Sequence, residues 1–234
     1  MIKTWMTPWL LMAVPFLGAA LSLLLRTSFQ RMKTSALLTT VASMLVVIGT
    51  PWALGDTLAG VPFLCLLPLT AFLSLLGQPL HRDNTSAWTT TLVLLGLGLG
   101  ILTAQAPVHD VMLLILPGLL CILLYRYQSG ATPETWRGLS AYGLSMMSAA
   151  LALVLPTPAS TVALLVTCAT LLPLLPVHSG FIATLTGLPG NLPAFLVFLL
   201  PTVGFHTLLM LLPNLTGTTL HTVAILALAG AVYG

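Results

Sequence analysis

A chain of 234 residues, 58% hydrophobic and 5% charged, with a mean hydropathy of +1.08, excludes a water-soluble domain. A soluble globule keeps charge spread over its surface, whereas here nothing from Gly138 to Gly234 is charged and Asp56 alone is charged between Lys33 and Arg82. The net charge of +3 rests on seven Lys and Arg set singly among short loops, which excludes the clustered basic face of a nucleic-acid binder.

Lipid is therefore the solvent for most of this surface. A barrel would alternate apolar and polar side chains over ~10-residue stretches, but blocks such as Leu92–Thr103 and Val111–Leu124 are apolar on every face. The expectation is an all-α, polytopic transmembrane bundle of about eight or nine helices, forming one domain over 1–234, since a bilayer core takes roughly 17–25 apolar residues per helix.

In chain order, the apolar segments fall at 8–25, 35–54, 61–77, 88–104, 111–125, 139–155, 161–177, 193–212 and 219–234. The first is long enough to span and is followed by Arg26, Arg31 and Lys33. That is a stop-transfer pattern, so it reads as a helix and not as a cleaved leader. His81 and Arg82 follow the third segment, and Arg126 and Arg137 the fifth; the alternate loops hold Asp56, then Asp110, then the neutral stretch from Pro156 to Thr161. Basic loops stay on the cytoplasmic side, so the chain is expected in the inner (cytoplasmic) membrane of a bacterium with its N-terminus outside. Trp5, Trp9, Trp52, Trp88 and Trp136 lie near segment ends and read as an interfacial aromatic belt.

Two places depart from simple spans. From Leu171 to Pro193 the chain carries Pro173, Pro176, Pro189 and Pro193 among Gly180, Gly187 and Gly190. Proline lacks an amide hydrogen and clashes with the preceding turn, so a broken helix is expected there, and Gly204 farther on is a further candidate break. Broken helices at membrane depth need a protein or water cover. The final segment, Leu220–Gly234, stops without a basic flank; it reads as a span cut inside a helix, from a longer protein or completed by a partner.

No nucleotide-binding loop, nucleophile elbow or paired-histidine zinc motif is present, and Asp56, Asp83, Asp110 and Glu134 all fall in expected loops. Cys65, Cys121 and Cys168 sit singly in apolar blocks, which suits packing and not metal binding or disulfides. No cofactor is expected. The candidates for chemistry are polar residues within apolar segments. His206 lies mid-segment and is suited to a proton relay by its titration near neutrality, or to a neutral hydrogen bond on the small face of Gly204. Thr202 lies one turn earlier on the same side, and His178 sits at the broken stretch. His109 and His221 lie at segment ends, where water reaches them.

The stretch LPLLPVHSGFIATLTGLPGNLPAFLVFLLPTVGFHTLLMLLP, from Leu172 to Pro213, resembles the antiporter-like membrane subunits of respiratory complex I, Mrp antiporters and membrane-bound hydrogenases. Pro173, Pro176 and His178 match the spacing of that family's P-x-F-P-x-H element, Gly204–Phe205 falls where its G-x-Y would, and Asp110-Val-Met-Leu-Leu resembles the opening of its fifth helix. The resemblance implies a subunit without a redox cofactor that helps couple quinone reduction to proton movement in an NADH–quinone oxidoreductase-type assembly. Its implied partners are the lipid bilayer and neighbouring membrane subunits, with quinone met only through those neighbours. The family's ionisable positions are not kept: Gly118 or Leu119 aligns with its glutamate, Leu171 and Thr202 with its lysines, and Gly180 falls one place after its tryptophan. A proton path would therefore fall to His178 and His206; otherwise the subunit supports the assembly structurally. The reading from another class is a small secondary transporter, an uptake-system subunit or a non-conducting scaffold.

Overall fold

The computed structural model describes residues 2–54, 61–81, 84–127, 133–157, 159–172 and 179–215, together with 217, 221, 222, 224 and 225. Pro173, Pro176 and His178, the Asp56 and Asp83 loops and most of the last apolar segment lie outside these residues. The described chain is all-α. Nine α-helices run in the order α1 (Ile2–Leu24), α2 (Phe29–Leu54), α3 (Val61–Gly77), α4 (Thr85–Thr103), α5 (Val108–Tyr127), α6 (Pro133–Val154), α7 (Ala159–Leu171), α8 (Ser179–Gly187) and α9 (Leu192–Leu211). Among the described residues, four stretches are long and apolar enough to cross a membrane: Phe29–Thr50, Thr85–Thr103, Val108–Tyr127 and Leu192–Asn214. Prolines inside α1, α3, α5 and α9 do not end those helices, because nearby groups can satisfy the freed carbonyl in a spanning helix.

The helices form two compact units: one of residues 1–109 and 189–199, the other of 110–188 and 200–234. In the first, α1 packs on α4 and α2, and α3 packs on α2 and α4. The centre is α4, whose Leu92, Leu94, Leu95, Leu99 and Ile101 are all fully buried; a helix apolar on all sides belongs inside its neighbours. Its alternating glycines admit them. A Cβ on Gly96 would stand 3.1 Å from the Phe16 ring of α1, and one on Gly98 would stand 2.5 Å from Leu199 and 2.7 Å from Leu67. In the second unit, α6 packs against α7 and α8. A Cβ on Gly138 would come within 2.5 Å of the Ala183 Cβ, so α6 and α8 meet almost backbone to backbone in the small-residue manner of membrane helices.

Three expectations change. Trp88 is no belt residue: it is 0% exposed in a cluster with Ala19, Met32, Ala36, Leu75 and Leu92. It is the fourth residue of α4, and the inward face of that helix captures the ring before it can reach the interface. Trp9 and Trp136 are exposed at 57% and 63%, as a belt requires. Gly204 breaks nothing: α9 runs continuously through Pro201 and Gly204. Its missing side chain serves close packing instead, since a Cβ there would meet Leu172 at 2.9 Å and Leu171 at 3.3 Å. His109, expected where water reaches, is 3% exposed at the start of α5.

Helix interruption does occur between Gly187 and Leu192. Pro189 and Gly190 occupy the turn between them, and Gly190 has a φ of 62°, a value that proline followed by glycine provides in a type II turn. Pro193 follows as the second residue of α9, where its missing N–H costs nothing.

Candidate functional site

Hydroxyls are the main polar groups inside these helices, and most are satisfied by their own helix. Thr39 donates to the Ser35 carbonyl, Ser43 to that of Thr39, Thr91 to that of Ala87 and Thr207 to that of Val203, at 2.8–2.9 Å. Such back-bonding uses the hydroxyl hydrogen within the helix and leaves its lone pairs to accept from a neighbour. The hydroxyls that meet another hydroxyl across helices matter more.

In the second unit, Tyr142 of α6 and Thr184 of α8 share a hydrogen bond of 2.7 Å between hydroxyls, both fully buried. Two turns along α6, Ser148 shares one of 2.8 Å with Thr167 of α7. Ser148 also donates to the Ser145 carbonyl, and Thr170 to that of Thr167. Between the two pairs lies Ser145, fully buried, whose hydroxyl has no partner. Residues 142, 145, 148 and 149 recur on one face because a helix repeats every 3.6 residues. The opposite face presents Trp136, Leu144, Met147 and Leu151 outward. The result is a seam of neutral hydroxyls between α6, α7 and α8. It can orient water and fix helix register, and it contains no group that ionises near neutral pH.

On α9 the buried face is Leu196, Leu199, Leu200, Val203, Gly204, Thr207 and Leu211. Thr202 and His206 share the flank of that face and are half-buried, while Phe205 between them is exposed. His206 does not lie on the Gly204 side: two residues apart on a helix point about 200° apart, and Leu171 and Leu172 take the Gly204 surface. His178, Pro173 and Pro176 fall outside the described residues, so Thr202 and His206 are the described members of the expected relay. Leu171, the position aligned with a family lysine, is 0% exposed. Gly118 and Leu119 are half-buried in α5.

Among the described residues, no three His, Cys, Asp or Glu gather as a metal site would require. Cys168 is buried, and Cys121 directs its thiol at the Leu139 carbonyl across 3.9 Å. The sequence reading missed Tyr142, Thr184, Ser145, Ser148 and Thr167. Their one signal is spacing, Tyr142-x-x-Ser145-x-x-Ser148 matched by Thr167-x-x-Thr170, which puts hydroxyls on one helical stripe in each segment. No protein-family model, no curated protein and no solved structure matches this chain.

Proposed function

We propose that this chain is a divergent antiporter-like membrane subunit of a complex I–type NADH–quinone oxidoreductase assembly, supporting proton translocation structurally and carrying no redox cofactor. It would lie in the bacterial inner membrane with its N-terminus outside and its arginine-bearing loops inside. The observation that carries this reading is the short helix α8 followed by the Pro189–Gly190 turn, set in an apolar bundle, over the stretch that resembles the family's broken helix. A structural role is favoured over conduction by Leu171. Where the resemblance aligns a lysine, this side chain is sealed against Gly204, and a charge buried there without a partner would be costly.

A relay through His206 is the second reading, favoured by its half-buried place within the apolar helix α9, more than a turn from its C-terminal end. His206→Phe separates the two. With the complete assembly reconstituted in vesicles, unchanged proton pumping fits structural support, and its loss establishes the relay. Affinity purification in mild detergent tests membership. Quinone-reductase subunits should accompany the tagged chain; recovery as a solitary monomer that binds a solute would refute the assignment.

A further inference from the structure

At one end of the first unit, three carboxamides, a lysine and two helix N-termini come together. Gln78 follows α3 directly, is 1% exposed, and has neither its side-chain oxygen nor its nitrogen partnered. Asn84 precedes α4 but makes no side-chain cap bond; its amide nitrogen donates instead to the Pro79 carbonyl at 3.1 Å. Asn191 precedes α9, and its carbonyl accepts from Ser74 at 2.7 Å. Gly190 joins them. A Cβ there would stand 3.0 Å from the Asn84 oxygen and 3.6 Å from the Gln78 amide carbon. Gly190 is itself exposed, so a residue without a side chain is the lid between the buried Gln78 amide and the outside. The Lys33 ammonium donates to the Leu76 carbonyl at 3.1 Å and to that of Gln78, which leaves one of its three hydrogens over.

An amide with both ends unpaired in a dry interior is costly, and native structures rarely keep one without a ligand or a water. The ligand's charge follows from its surroundings. Helix N-termini favour anions, and two begin here, at Thr85 and Leu192. Arg26, in the turn before α2, and Arg31, in the first turn of α2, stand near Lys33 in the chain with no acidic residue between them. We infer that this junction of α3, α4 and α9 binds the phosphate headgroup of an anionic phospholipid, with the Lys33 ammonium and the Gln78 amide nitrogen as its recognition groups. A lipid is the source favoured over free phosphate because spanning helices end at headgroup depth, where anionic lipid is concentrated on the basic side.

The test uses the full chain in neutral detergent, with thermal unfolding followed as phosphatidylglycerol, phosphatidylcholine or inorganic phosphate is added. Phosphatidylglycerol should raise the midpoint by roughly 3 °C or more once well above its dissociation constant, with phosphatidylcholine and inorganic phosphate doing much less. Gln78→Leu keeps a similar volume and removes the unpaired amide, so it should fold at least as well as the parent and lose most of the shift. Lys33→Gln should lose it too. Equal shifts from both lipids, or a shift that survives in both variants, overturns the site. An equal effect of inorganic phosphate overturns the lipid.

Discussion

Ser145 and Thr167 lie within one seam, yet their removal should have opposite consequences. The Ser145 hydroxyl is buried and unpaired, so Ser145→Ala relieves a desolvated group and is expected to be neutral or stabilising by up to about 1 kcal/mol. Thr167 bonds across to Ser148, and Thr167→Val should cost about 0.6 kcal/mol, the average for hydrogen bonds between membrane helices, and no more than about 1.7 kcal/mol. Equilibrium unfolding in mixed micelles measures both; a large loss for Ser145→Ala would show that water already satisfies it. These residues were hidden in the sequence because Ser and Thr barely lower the hydropathy of a segment. Whether each bonds its own helix or a neighbour depends on the helix packed opposite. His206 was legible for the converse reason, as an ionisable group inside an apolar run.

Glycine does different work at different points of one helix. On α6, a Cβ at Gly138 would meet the Ala183 Cβ at 2.5 Å, whereas at Gly143 it would meet nothing within 4 Å. Ala183 has no flexible end to withdraw, so Gly138→Ala must part α6 from α8 and should destabilise by about 1–3 kcal/mol. Gly143→Ala should be neutral or gain up to ~1 kcal/mol from its lower backbone entropy. The same unfolding assay checks both, and equal effects would contradict the close approach. Most elements could be read from apolar runs, and α3 begins and ends where the run does. Elsewhere the helices outrun the apolar stretch: α6 begins at Pro133, several residues before the run starting at 139, because a helix continues through a charged residue such as the exposed Arg137 once water or headgroups can meet it. The separate α8 was the least legible element, since nine residues flanked by prolines resemble a loop as much as a helix.

The first unit is discontinuous in sequence: residues 189–199 complete what 1–109 begin. They bring Leu199 onto Gly98 and the Asn191 carbonyl onto Ser74. Expressed alone, residues 1–109 should therefore insert but remain more sensitive to protease than the same residues in the full chain. Equal resistance would show that 189–199 contribute little. Nothing in composition announced this return, because packing partners far apart in sequence leave no local trace. The membrane character was plain from charge alone, and it predicts that the full chain stays in the pellet when membranes are washed with alkaline carbonate. Release into the wash would overturn the four spans.

The fastening of α6 to α7 and α8 by neutral oxygens carries a consequence for how this protein responds to its surroundings. Ion pairs weaken when electrolyte is added, and carboxylates let go in acid. Tyr142, Thr184, Ser148 and Thr167 offer nothing for counterions to shield and no proton to gain between pH 5 and 8. Their grip should hold where acid or added salt would loosen a bundle fastened by charged pairs.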